Sequence, residues 1–228
     1  MLPLILHIDT ATEFASICLT KGETILGMHS CLDQKKHGAF VQPAIQELMQ
    51  ETGLTLSQLD AISVSEGPGS YTGLRVAMAS AKGLCYALNK PLITINTLKI
   101  IAQAALEQED QAHPNAIYCP LIDARRMEVF MALYSSALEP VLAAEARILD
   151  QDSFKDLLTD QVVIFTGSGA PKLQAILDHP NAVFNTVQHS AKQLARLANR
   201  AFADQIFANL AYCEPFYLKA FYSVPAKK

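Results

Sequence analysis

The sequence predicts an α/β fold whose two halves repeat one plan. Short apolar runs bounded by turn residues alternate with stretches of helical period. The 228 residues are 50% hydrophobic and 18% charged, enough apolar material for a full core. Finally, Ile8-Asp9 is echoed by Ile122-Asp123, 114 positions later and half the chain away, with Leu19 and Leu133 at the same offset. The echo reads as a duplicated strand-Asp-turn-strand unit.

Taken in order, residues 4–9 (LILHID), 15–20 and 23–30 read as three strands. The turns Thr10-Ala11-Thr12-Glu13 and Lys21-Gly22 are short enough to make them antiparallel neighbours. A helix over residues 40–51 follows, because Val41, Ala44, Ile45, Leu48 and Met49 share one face; Gly53 ends it. Residues 61–65 form a strand, and the loop Gly67-Pro68-Gly69-Ser70-Tyr71-Thr72-Gly73 leads into a helix to residue 88. That helix has few polar side chains, Arg75, Ser80 and Lys82, so it is expected to be covered on more than one side. Val76, Ser80, Gly83 and Ala87 make a stripe of mostly small residues along it, fit for close approach by another helix.

Residues 91–96 form a strand and Thr97 opens a further helix. In the second half, residues 116–122 and 129–134 form a hairpin around Asp123. A strand over 162–166, the turn Gly167-Ser168-Gly169 and a helix over 190–207 complete the assignment, with Ala191, Leu194, Ala195, Ala198 and Phe202 on one helix face. The polar stretch 108–115, with Pro114, marks the break between domains 1–112 and 113–228.

Composition narrows the function classes. The mean hydropathy is +0.18, yet no apolar run approaches the roughly 20 residues of a membrane span. Residues 1–6 lack a basic segment and Asp9 follows at once, which does not suit a signal peptide. The net charge is −4, and the basic stretches Gln34-Lys35-Lys36-His37, Arg125-Arg126 and Lys227-Lys228 each read as solvated loops or ends rather than a nucleic-acid site. Five cysteines, none in a C-x-x-C pair, indicate a reduced, cytoplasmic protein. Six histidines form no H-x-x-x-H or H-E-x-x-H, and Ser70 has no nucleophile elbow, so neither a zinc hydrolase nor a serine hydrolase is supported.

Asp9 and Asp123 each end an apolar strand, where a carboxylate holds a metal-bound phosphate or simply starts a turn; spacing favours the turn. Thr10-Ala11-Thr12 lacks the glycine that lets backbone amides approach a phosphate. The loop Gly67–Gly73 feeds a helix N-terminus, but no Lys-Ser or Lys-Thr follows its last glycine and its spacing is G-x-G-x-x-x-G. It reads as a strained strand-to-helix turn that sets the angle of an interface helix.

These residues carry a resemblance. Ile8-Asp9-Thr10-Ala11-Thr12, the block Gly67-Pro-Gly-Ser-Tyr-Thr-Gly-Leu-Arg75, Ala81-Lys-Gly83, and Asp123-Ala-Arg-Arg126 with Glu128-Val-Phe130 closely resemble the bacterial TsaB (YeaZ) family, densely to about residue 135 and thinly after. The resemblance implies two ribonuclease-H-like domains of the actin, sugar kinase and Hsp70 (ASKHA) type. It implies a cytoplasmic, non-catalytic subunit in synthesis of threonylcarbamoyladenosine, the modified tRNA base beside the anticodon. The partners would be a TsaD-like catalytic paralogue and a TsaE-like ATPase, with tRNA met through the complex and a homodimer when TsaD is absent. At the positions where TsaD-like chains carry a His-x-x-x-His metal pair, this sequence has Thr97 and Ile101. The family's partner face implies Val41, Ile45, Leu48, Thr72, Val76, Ser80, Gly83 and Ala87 as interface residues. Asp9, Thr10, Thr12, Asp123, Gly167 and Gly169 would form a vestigial nucleotide site, with weak ATP or ADP binding and no metal. The competing reading is an ATP-dependent small-molecule kinase or ATPase of the same fold.

Overall fold

The computed structural model describes residues 2–109 and 113–219. The first half runs β1 (Leu4–Asp9), β2 (Ala15–Lys21), β3 (Thr24–Cys31), α1 (His37–Thr52), β4 (Ala61–Gly67), α2 (Tyr71–Leu88), β5 (Leu92–Asn96) and α3 (Thr97–Gln108). The second half runs β6 (Ile117–Asp123), β7 (Glu128–Tyr134), β8 (Pro140–Ile148), α4 (Lys155–Asp160), β9 (Val163–Thr166), α5 (Ala170–Gln174), β10 (Ala182–Asn185) and α6 (Ala191–Ala203).

The two sheets have the same topology. The first has the order β3-β2-β1-β4-β5 and the second β8-β7-β6-β9-β10. In each, a hairpin pairs antiparallel with the central strand and two later strands join it in parallel. Asp9 and Asp123 stand at equivalent places, each ending the central strand of its sheet. The half-chain echo is therefore a structural duplication.

Burial follows from strand alternation. Leu4, Leu6 and Ile8 face α1 and α2 in one core cluster, while Ile5 faces Ala198 and Ala201 of α6 in another. With both faces covered, every residue of β1 is buried, including polar His7 and Asp9. The helices that close each half cross over: α3 packs on β6, β7 and β9 of the second sheet, and α6 packs on β1, β2, β4 and β5 of the first. Glu107 of α3 ties the two helices together, accepting from Gln193 at 2.8 Å and pairing with Arg196 at 3.2 Å. Residues 110–112, where the sequence places its domain break, lie outside the described residues, as does the Lys227-Lys228 tail.

One helix end is corrected. The last helix stops at Ala203 rather than residue 207, because Gln205 takes a left-handed φ of 56° and the Ile206 amide turns back to the Ala201 carbonyl. As expected, α2 is covered on more than one side, by the first sheet and by α1, and a further side is open to solvent, as described below. The sequence also left β8, β10, α4 and α5 unassigned. Each is short or part-exposed, with no clean period to read.

Candidate functional site

Between the sheets lies a cleft of about 900 Å³, lined among others by Thr12, Ser70, Asp123 and Ser168. Asp9 sits below it, wholly buried. Its Oδ1 accepts from the Ala11 amide at 3.2 Å, and its Oδ2 lies 3.4 Å from Nε2 of His189, just before α6. Oδ2 has no hydrogen-bond partner among the described residues, so one oxygen of this buried carboxylate is left unsatisfied. His189 Nε2 is also 3.4 Å from Thr12 Oγ1. Thr10 is turned away from the cleft, its hydroxyl donating to the Gly73 carbonyl at 2.7 Å.

Asp123 is at the cleft wall, with Lys172 Nζ at 2.6 Å and the Arg125 amide donating to the same oxygen at 2.6 Å. Partial burial pushes its carboxyl up, but the hydrogen bonds from Lys172 and Arg125 and the ammonium charge outweigh this and hold it below the ordinary carboxylate value. Gly167 and Gly169 serve packing: a Cβ at Gly167 would sit 2.6 Å from the Leu121 carbonyl, and Gly169 donates its amide to that carbonyl at 2.9 Å. His189 and Lys172 were missed in the sequence. Neither belongs to a motif, and each reaches its carboxylate only through the tertiary fold.

A metal-bound phosphate needs carboxylate oxygens free to coordinate. Asp9 is wholly buried with one oxygen lacking a hydrogen bond, and Asp123 holds both Lys172 and the Arg125 amide on a single oxygen. Among the described residues, no group of three or more His, Cys, Asp or Glu is arranged to hold a metal. Thr97 and Ile101 are both buried, and the Ile101 methyl approaches the Gly167 turn.

The loop after β4 is pinned to the neighbouring turn through Ser70. Ser70 donates its backbone N–H to the Ala11 carbonyl at 2.6 Å, and its side chain caps α2 by accepting from the Gly73 amide at 3.3 Å. A Cβ at Gly69 would collide with the Ala11 carbonyl oxygen, and one at Gly73 with that of Thr10. The loop is thus a close-packed strand-to-helix turn that anchors α2.

From that anchor, α2 buries Leu74, Ala77, Met78, Ala81 and Cys85 and turns its other side outward. Thr72, Arg75, Ala79, Gly83, Tyr86 and Ala87 are exposed, with Val76 and Ser80 half-buried beside α1. Tyr86 is 84% exposed, and a Cβ at Gly83 would meet nothing within 4 Å. Of the expected interface residues, Thr72, Val76, Ser80, Gly83 and Ala87 fall on this ridge. Val41 and Leu48 do not: both are 0% exposed and fill the chain's own core, because the apolar side of α1 packs inward, while Ile45, 3% exposed, belongs to that core and also lines the groove beside α2. What α1 adds to the face is Gln42, which donates to the Ser80 hydroxyl at 3.0 Å, and Gln46. With Met49, Leu54 and Leu84 these glutamines border a groove of about 500 Å³. No helix among the described residues is long and apolar enough to cross a membrane.

Comparison with known proteins places this geometry. A family model described as TsaD, tRNA N6-adenosine threonylcarbamoyltransferase, matches residues 22–220. The chain is 28% identical to the tRNA threonylcarbamoyladenosine biosynthesis protein TsaB of Escherichia coli, over 98% of this chain and 99% of that protein. The structure of YeaZ from Pseudomonas aeruginosa superimposes with a TM-score of 0.80 at 25% identity, covering 95% of this chain and 100% of that one. The polyphosphate/ATP-glucomannokinase of an Arthrobacter strain shares the fold at a TM-score of 0.52 and 13% identity, covering 89% of this chain and 99% of that one.

Proposed function

The chain belongs to the tRNA N6-adenosine threonylcarbamoyltransferase (TsaD) family, as one of its TsaB (YeaZ)-type members, and from that premise we propose that it is a non-catalytic subunit of the machinery that makes threonylcarbamoyladenosine in tRNA. Its work is to bind and stabilise a TsaD-type catalytic paralogue through the outward side of α2. A TsaE-like ATPase joins the pair, tRNA is met through the complex, and the setting is the cytoplasm.

The observation that carries this reading is the open ridge on α2. Small side chains at Val76, Ala79, Ser80, Gly83 and Ala87 let a second helix backbone approach closely, and among the described residues nothing lies within 4 Å of a Cβ built at Gly83. An 18-residue helix spans about 27 Å at ~1.5 Å per residue. With the exposed side of α1, that supports the ~800 Å² per partner of a standard interface. The same surface is self-complementary enough for a homodimer when the paralogue is absent. The kinase or ATPase reading needs a carboxylate that reaches a metal-bound phosphate, whereas Asp9 is wholly buried beneath the cleft and Asp123 Oδ1 is paired with Lys172.

Size exclusion of the chain mixed with the paralogue from the same cell tests the proposal. A stable complex is expected with the parent chain and none with Gly83→Arg, whose long cation fills the ridge. An intact complex with that variant removes α2 as the interface, and no complex with the parent chain removes the partner reading.

A further inference from the structure

The fold brings together two basic stretches that stand far apart in the sequence. Lys35, in the 3-10 turn Gln34–Lys36 before α1, and Arg125, at the tip of the β6–β7 hairpin, line the same cleft, with Arg126 beside it. Lys35, Arg125 and Arg126 are exposed and form no ion pair among the described residues. The acids nearest on the hairpin do not cancel them: Asp123 is neutralised by Lys172 at 2.6 Å and Glu128 by Lys219 at 2.7 Å. Glu13 is the one lining acid without an ion pair among the described residues. The rim is positive on a chain whose net charge is −4.

The two arginines are also held in an unusual backbone. Arg125 has φ 74° and Arg126 φ 49°, consecutive left-handed residues in a turn that favours asparagine and glycine. Strain of this kind concentrates where a site needs particular side chains. Behind the arginines the cleft is aromatic. Tyr71 and Tyr217 lie 5.1 Å apart by ring centroid, Arg75 sits 4.4 Å over Tyr71, and Phe130 and Phe216 complete the wall.

We propose that this cleft takes a single-stranded stretch of RNA, with Lys35, Arg125 and Arg126 meeting phosphates and the exposed Tyr217 ring, backed by Tyr71, stacking a base. Cations that follow a backbone beside aromatic faces are the physical means by which single strands are held. A cleft of about 900 Å³ encloses an unstacked nucleotide and excludes a duplex. The inference rests on the tRNA-modification reading above and gives the chain its own share of the substrate. Tyr71 and Thr72 border the cleft and begin the α2 ridge, so RNA held here runs beside the partner seated on that ridge.

The test is fluorescence anisotropy with a labelled RNA hairpin carrying a single-stranded loop, against the full chain alone and mixed with the paralogue. The variant is the double substitution Arg125→Gly, Arg126→Gly. Glycine accepts the left-handed backbone, so the unfolding midpoint is expected to hold or rise and the paralogue complex to persist. RNA affinity is expected to fall about tenfold, with the salt slope reduced by about 1–2. Equal affinity and salt slope for parent and variant, alone and in complex, overturn the proposal. So does a blunt RNA duplex that competes as well as the hairpin, or a variant that keeps RNA but loses an acidic protein partner. If the parent chain forms no complex, the partner reading fails while the chain's own RNA affinity still decides the cleft.

Discussion

His7 makes the stability of this protein depend on mildly acidic pH. It lies in the middle of β1, wholly buried, with Nδ1 2.7 Å from the Ser63 hydroxyl and Nε2 2.9 Å from the Thr20 hydroxyl. Either hydroxyl donates or accepts, so the neutral ring is satisfied in both tautomers. Burial disfavours the imidazolium and pushes the pKa from 6.5 down to about 3. In the unfolded chain the ring takes a proton near pH 6.5, so below that value the unfolded state binds one more proton than the folded state. Stability is therefore fully present above pH 6.5 and is lost as pH falls from 6.5 toward 3. At pH 5 the loss is ~2 kcal/mol, a large part of a typical 5–15 kcal/mol. Urea unfolding at pH 7 and pH 5 measures it, with His7→Gln as control because glutamine keeps donor and acceptor but does not titrate. The parent is expected to lose ~2 kcal/mol more than the variant between the two pH values. Equal losses would mean that His7 protonates in the folded state, and the burial argument would be wrong.

Three further outcomes follow from particular contacts. Gly83→Arg meets open space in the free chain and replaces a poor helix former. Its unfolding free energy is expected to hold or rise by about 0.5–1 kcal/mol even as the paralogue complex is lost, which urea titration checks. Gly73→Ala drives a methyl into the Thr10 carbonyl and is expected to cost about 1–3 kcal/mol, read in a thermal scan as a midpoint several degrees lower. Burial pushes the thiols of Cys18 and Cys85 up to about 12 and that of Cys119 further, while Cys31 and Cys213 are only half-buried. A chromogenic disulfide reagent near pH 8 is therefore expected to label at most Cys31 and Cys213 in the folded chain and all five cysteines in denaturant.

Much of the fold is local and was legible. β1, β2 and the hairpin of β6 and β7 announce themselves by apolar runs and short turns, and α1 by its period, because these patterns come from backbone geometry alone. The duplication was visible in two Ile-Asp pairs because each must end the central strand of its sheet. The later elements were not legible. The pattern of β8 does not alternate cleanly, and α4 and α5 are too short to show a helical period.

The partner face shows the same division. The small residues of α2 were readable at helical spacing, but Val41 and Leu48 were misassigned to the interface, since an apolar stripe does not say whether it faces its own sheet or another protein. Only packing decides that. The cleft depends on tertiary structure more fully still. Nothing near Asp9 in the chain points to His189, nothing near Asp123 to Lys172, and nothing joins Lys35 to Arg125. Sequence determined the strands, the anchoring glycines and the small ridge, which are properties of neighbouring residues. Which charges are cancelled and which stay exposed was decided by the folding of two sheets face to face, because electrostatics depends on distance in space and not along the chain.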